Sequence, residues 1–340
     1  MSLSWFNQPI EITREQTIIA ARMGIGIFIS FVITTYFTIV DPTWVYISLF
    51  VVLSEQKTIG ATLIRSSMRT IATVSSALFS LMIILFFHND YRINLAAFIL
   101  GTFLYTYLFA GTKKGYIATL GSLTLAICLI NQNNFTHVFI RPLNVLLGIS
   151  IGLFALRFFF PNRATKMIIL EAQYFLTEYA TIAHFLASQD DLSKNLHERL
   201  LHLESEVIPR ISRFQTLLNE ADVEIRRKSQ FIKVATDILS SLRHIMRYFS
   251  SMMASIIWEE VKINESDKKK FLSLAETFSK LEENLANLNH QHKNIVGKNL
   301  DIKTGQKMVP LMLRLITLEC RTLETKITQL LKLVKTVKLE

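Results

Sequence analysis

Arg65, Arg69, Thr73, Ser76 and Ser80 are spaced 4, 4, 3 and 4 residues apart, which places all five on one face of a helix. The opposite face carries Ile71, Val74, Leu78 and Leu81. In a bilayer, a polar stripe headed by two cations reads as one wall of a water-filled path for anions. The same Ser and Thr pattern also lets helices approach closely and bond across a bundle, so spacing alone leaves both readings open. Arg141 opens a later apolar run, with Asn144, Gly148, Gly152 and Ala155 following on its side. It reads as a further anion-attracting cation or as a contact to lipid headgroups. Gly148 and Gly152 have the GxxxG spacing of tight helix contact. Arg22, about one turn into the first apolar run, is either a functional intramembrane cation or an arginine snorkelling to the interface. Glu55 alone among the carboxylates is placed to lie within the membrane thickness. It is the candidate coupling carboxylate, although one acid does not make a proton relay.

These residues need helices long enough to cross a bilayer, about 20 residues each. Apolar runs occur at Thr17–Val40, about Ser66–Phe87, Leu95–Ala110, Tyr116–Ile130 and Val138–Phe160. Between the first and second of these lies a shorter run, Trp44–Ser54, which spans only if it extends past Glu55 or if other helices bury its polar end. Counting it gives six spans. Basic residues then fall on alternate connections: Arg14; Lys57 and Arg65; Lys113 and Lys114; Arg163 and Lys166. The intervening loops hold one, Arg92. Positive residues stay cytoplasmic, so the alternation predicts both termini inside. The first apolar run is too long for the core of a signal peptide, and none is expected.

The chain of 340 residues has a mean hydropathy of +0.33 and a net charge of +10. The first 163 residues hold 11 Lys/Arg and 5 Asp/Glu, and the remainder 26 and 22. Charge is sparse in one half and dense but nearly balanced in the other. This implies a membrane part followed by a water-soluble part, and argues against nucleic acid as a partner.

Beyond Arg163 the pattern is amphipathic and helical, with segments expected at 164–188, 192–219, 222–262, 267–289 and 304–338. Ser266 is a candidate N-cap. Pro209 and Pro310 should start or kink helices. The last segment carries a heptad seam: Val309, Leu313, Ile316, Cys320, Leu323, Ile327, Leu330, Val334 and Val337. Leu311, Leu315 and Leu318 on another face favour a bundle helix buried on two sides over a free coiled coil. The scattered histidines, His290-x-His292 included, lack ligand spacing, so no metal or other cofactor is expected. No Ser/His/Asp or Cys/His set stands out, so no enzyme is expected either. The fold class is therefore all-α: a six-helix transmembrane bundle (1–163) and a cytosolic helical domain (164–340).

The run from Trp44 to Ser80, with Gly60-Ala61-Thr62, Arg65 and Arg69-Thr70-Ile71-Ala72-Thr73, resembles the fusaric acid resistance and aromatic acid exporter superfamily. It also resembles the plant aluminium-activated malate transporter branch. Ala72 and Ser76 stand where that pattern has glycines. Arg141 to Arg163, ending in Pro161 and Arg163, is similar to the last span of the same family. The resemblance implies a six-helix bundle with a cytosolic helical domain, moving organic anions such as aromatic acids or malate. Longer members carry two such units, so this single-unit chain is expected to act as a homodimer in the inner membrane. Its pathway would be lined by Arg65, Arg69, Thr73, Ser76, Ser80, Arg141 and Asn144. The alternative is a membrane-anchored helical scaffold that no longer transports, which the missing motif glycines would favour.

Overall fold

The computed structural model describes residues 14–54, 58–87, 90–130, 135–159, 161, 163–188, 193–225, 229–259, 263–286 and 308–338. Among these there is no β-strand. The chain divides into two compact units, Met1–Asn162 and Arg163–Glu340.

The first unit contains α1 (Arg14–Tyr36), α2 (Thr43–Ser54), α3 (Ile59–Phe87), α4 (Tyr91–Phe109), α5 (Gly115–Ile130) and α6 (Phe135–Phe158). Four of these, α1, α3, α4 and α6, are long and apolar enough to cross a membrane. Helices α2 and α5 are apolar but shorter, at 12 and 16 residues. The third apolar helix starts seven residues earlier than its hydropathy suggests, at Ile59. Arg65 therefore lies inside α3, not in the connection before it. Asp90 starts α4 by accepting a hydrogen bond from the Arg92 N–H at 2.8 Å, the usual office of an N-cap carboxylate.

Helix α2 packs on α6, α3 on α5 and α6, and α4 on α5; α1 lies against α2 and α6. Large apolar side chains such as Phe28, Leu78, Phe103, Tyr107 and Leu143 are exposed. The inward faces instead carry Ser30, Ser48, Thr62, Ser66, Thr73, Ser76 and Ser80, all buried. Apolar outside and small polar inside is the arrangement that lipid favours and water does not.

The second unit contains α7 (Ala164–Ser188), α8 (Ser193–His202), α9 (Ile208–Glu224), α10 (Ser229–Glu259), α11 (Glu265–Ala286) and α12 (Met308–Lys338). It buries a continuous apolar core in which Phe175, Tyr179, Phe249 and Phe278 meet ring to ring. The Tyr179 hydroxyl donates to the Leu242 carbonyl at 2.7 Å, which satisfies its one buried polar atom. Glu171 is buried on α7 and binds Arg210 at 3.2 Å and Arg213 at 3.1 Å, both from α9. Glu224 accepts a hydrogen bond from the Ala164 N–H at 2.8 Å, tying the end of α9 to the first turn of α7. Burial raises the Glu224 carboxyl above its ordinary pKa.

Two details differ from the sequence expectations. The break expected at Asn219–Asp222 is absent, because α9 runs on to Glu224. Helix α11 begins at Glu265, and Asp267 and Lys268 donate to the Asn264 carbonyl. Ser266 is thus inside the helix and not its cap. Pro209 starts a helix as expected: it lies in the first turn of α9, directly after a π turn at Leu203–Val207. The proline cannot donate to the preceding turn, and a π turn is one way for a helix to absorb that defect.

On α12, Leu313, Ile316, Cys320, Leu323, Ile327 and Leu330 are buried against α10 and α11. The seam is thus a bundle core. Leu318 is 61% exposed, so the second face expected to be buried is open there within one chain. Leu311 and the seam ends Val309, Val334 and Val337 are among the side chains the structure does not describe, as are His290 and His292. Burial pushes the Cys320 thiol pKa upward, which suits a core residue and not a nucleophile.

Candidate anion pathway

The polar face of α3 turns into the first unit. Arg69, Thr73, Ser76 and Ser80 are buried, while Arg65 is exposed near the helix start. From Arg65 to Ser80 the stripe rises roughly 22 Å at 1.5 Å per residue. That covers about two thirds to three quarters of a bilayer's hydrocarbon thickness.

The arginines are held differently. The Arg65 guanidinium lies 4.7 Å from the centre of the Tyr116 ring on α5. Arg69 reaches across to α2, where its Nη2 donates to Ser48 Oγ at 3.3 Å. Arg141 comes from α6 and stacks 3.4 Å from the centre of the Trp44 ring, a cation–π contact. Arg69, Asp41 and Cys128 all lie within electrostatic reach of Arg141. Arg141 Nη1 and Ser80 Oγ are buried and have no hydrogen-bond partner among the described residues. Two arginines, each more than nine-tenths buried, therefore share one interior region. Neither makes an ion pair with a carboxylate among the described residues. Asp41 acts on Arg141 without an ion pair, so two buried cations still outnumber the one carboxylate that reaches them; buried charge is costly, and this region favours an anion.

Other sequence candidates have packing duties. The Ser76 hydroxyl bonds to the Tyr105 hydroxyl at 3.0 Å and donates to the Gly121 carbonyl at 3.0 Å. It fastens α3 to α4 and α5. Asn144 Nδ2 donates to the Val40 and Asp41 carbonyls at 2.8 and 2.9 Å. The turn it braces contains Thr38 at φ 44° and Asp41 at φ 54°, left-handed values unfavourable for non-glycine residues. Gly148 and Gly152 lie on the seam with α2: a Cβ on Gly148 would come within 2.3 Å of the Val45 carbonyl oxygen, and one on Gly152 within 2.8 Å of Val52. Arg22 is engaged at the end of α6. It is 3% exposed, and its Nε donates to the Phe159 carbonyl at 3.0 Å, just past the end of α6. A cation there suits the negative end of the helix. Glu55 lies outside the described residues.

Sequence reasoning missed Ser48, Trp44 and Cys128 as neighbours of the arginines. A serine in the middle of the apolar run Trp44–Ser54 was the one available signal for Ser48.

Buried cations inside a bundle of apolar helices define a multi-pass membrane protein. Residues 26–155 match the family model described as fusaric acid resistance protein-like. That match lies within the first unit, supports the family resemblance carried by the sequence, and points to a membrane transport or resistance protein. The match does not extend to the second unit. No curated protein was found to match the chain.

Proposed function

We propose that the chain exports or conducts organic anions, such as aromatic or dicarboxylic acids, across the inner membrane. The observation that carries this reading is the pair Arg69 and Arg141, buried together without an ion-paired carboxylate among the described residues. A positive interior raises the local concentration of anions and rejects cations. Thr73 and Ser80 extend the polar face along α3. The experiment is flux into proteoliposomes, measured with a panel of aromatic and dicarboxylic acids. Saturable uptake of one class supports transport. The hydrogen bonds that commit Ser76 to packing are what favour the scaffold reading, and no uptake across the panel would select it.

On this reading all six apolar helices span, with α2 and α5 completed by their flanking segments, and both termini are cytoplasmic. A cysteine introduced at residue 133 should react with an impermeant reagent added outside, and one at 114 should not. Reaction at 114 alone would invert the topology.

The working unit is proposed to be a homodimer, since longer relatives in the resemblance carry two such units in one chain. The open face of α12 at Leu318 offers apolar surface for it. Mass measurement in nanodiscs should show two chains, and a monomer that still transports would refute the dimer.

A further inference from the structure

Near the start of α3 a cleft of about 10 Å³ lies among Thr62, Arg65, Ser66 and Arg69, closed by Tyr116 and Val52. A space of this size holds one water-sized particle. Its lining is cationic: Arg65 and Arg69 are one turn apart on the same face, a like-charge pair that destabilises a helix unless something compensates it. Among the described residues neither forms an ion pair with a carboxylate.

The cleft also holds an unused donor. Ser67, Ser75 and Ser150, on the exposed faces of their helices, bond back to the carbonyls of Ile64, Ile71 and Leu146. Ser66 does not. It is 3% exposed, and its Oγ is buried without a hydrogen-bond partner. The Thr62 hydroxyl is already committed to the Thr58 carbonyl at 2.9 Å.

We propose that this cleft binds one small inorganic anion of the halide class, with Arg65, Arg69 and the Ser66 hydroxyl as donors. The small cleft favours a monatomic anion over the carbon skeleton of an organic acid, so the proposed ion is distinct from the transported cargo. A single negative charge offsets half of the local positive charge and accepts the bond Ser66 has to give, and water supplies no such charge. The site is independent of the transport reading: it stands if no organic anion crosses.

The test uses the full chain in nanodiscs at fixed ionic strength, with chloride replaced stepwise by bulky gluconate. The unfolding midpoint should rise saturably with chloride, and bromide should substitute for it. Arg69→Gln should weaken the apparent halide affinity by about tenfold, the order expected for losing a charge-assisted hydrogen bond. Ser66→Val, which fills the cleft, should abolish the dependence. Equal midpoints in chloride and gluconate would overturn the site, as would a chloride dependence that survives Ser66→Val. If the variants do not fold, chlorine NMR of the unaltered protein decides. Excess line broadening displaced by bromide supports the site, and its absence removes it.

Discussion

Gly148→Ala is expected to break the seam between α2 and α6. The new methyl would sit 2.3 Å from the Val45 carbonyl oxygen and 2.8 Å from the Ser48 Cβ. The first of these is backbone, which cannot rotate away as a side chain can, so α2 must move as a body. Overpacking a tight contact costs typically 1–3 kcal/mol and sometimes more, and a backbone clash belongs at the upper end, about 3 kcal/mol. The shift would also carry Ser48 away from Arg69, coupling the packing defect to the polar region. Gly24→Ala is the control. Gly24 lies within α1 with nothing inside 4 Å of the added methyl, and alanine is favoured over glycine in a helix by about 0.5–1 kcal/mol. Thermal unfolding in nanodiscs should show a large loss for the first and no loss for the second. Equal effects would mean that α2 and α6 do not meet at Gly148.

Arg69→Gln is expected to reduce organic-anion flux by about tenfold or more, the lower range of what electrostatic focusing contributes to anion entry. Glutamine keeps a donor for Ser48 and removes the charge. The salt dependence of flux should flatten, while expression and dimer mass stay normal. Removing a buried charge relieves desolvation, so folding gives no reason for the loss. Arg141→Gln should act in the same direction and also lose the stacking on Trp44. Arg157, exposed near the end of α6, is the control and should matter little. If Arg69→Gln and Arg141→Gln both leave flux and selectivity unchanged in folded protein, the two residues anchor helices. The anion pathway along α3 would then have to be abandoned.

Periodicity made the α3 stripe legible, because residues three and four apart on a helix must share a face. It did not tell a conduit from a packing surface, since Ser and Thr serve both. The two uses divide along the same stripe: Ser76 is committed to Tyr105 and Gly121, while Ser66 keeps an unpartnered hydroxyl. The start of α3 was placed too late because hydropathy falls at Arg65. A helix in a bundle needs only one apolar face, and its polar face can turn inward.

By itself the sequence determined that the chain is helical, that its first half suits a membrane and its second half does not, and which residues share a helix face. These are local properties, fixed by composition and by the 3.6-residue turn. The tertiary structure decided which face meets which. Arg22 meets a carbonyl 137 positions away, Asn144 braces a turn 103 and 104 positions away, and Gly148 receives the backbone of α2. Each of these residues read as polar or small within a membrane segment, and several partners would have satisfied any of them. A periodic pattern specifies a direction from the helix axis, whereas the group found in that direction depends on how separate helices pack.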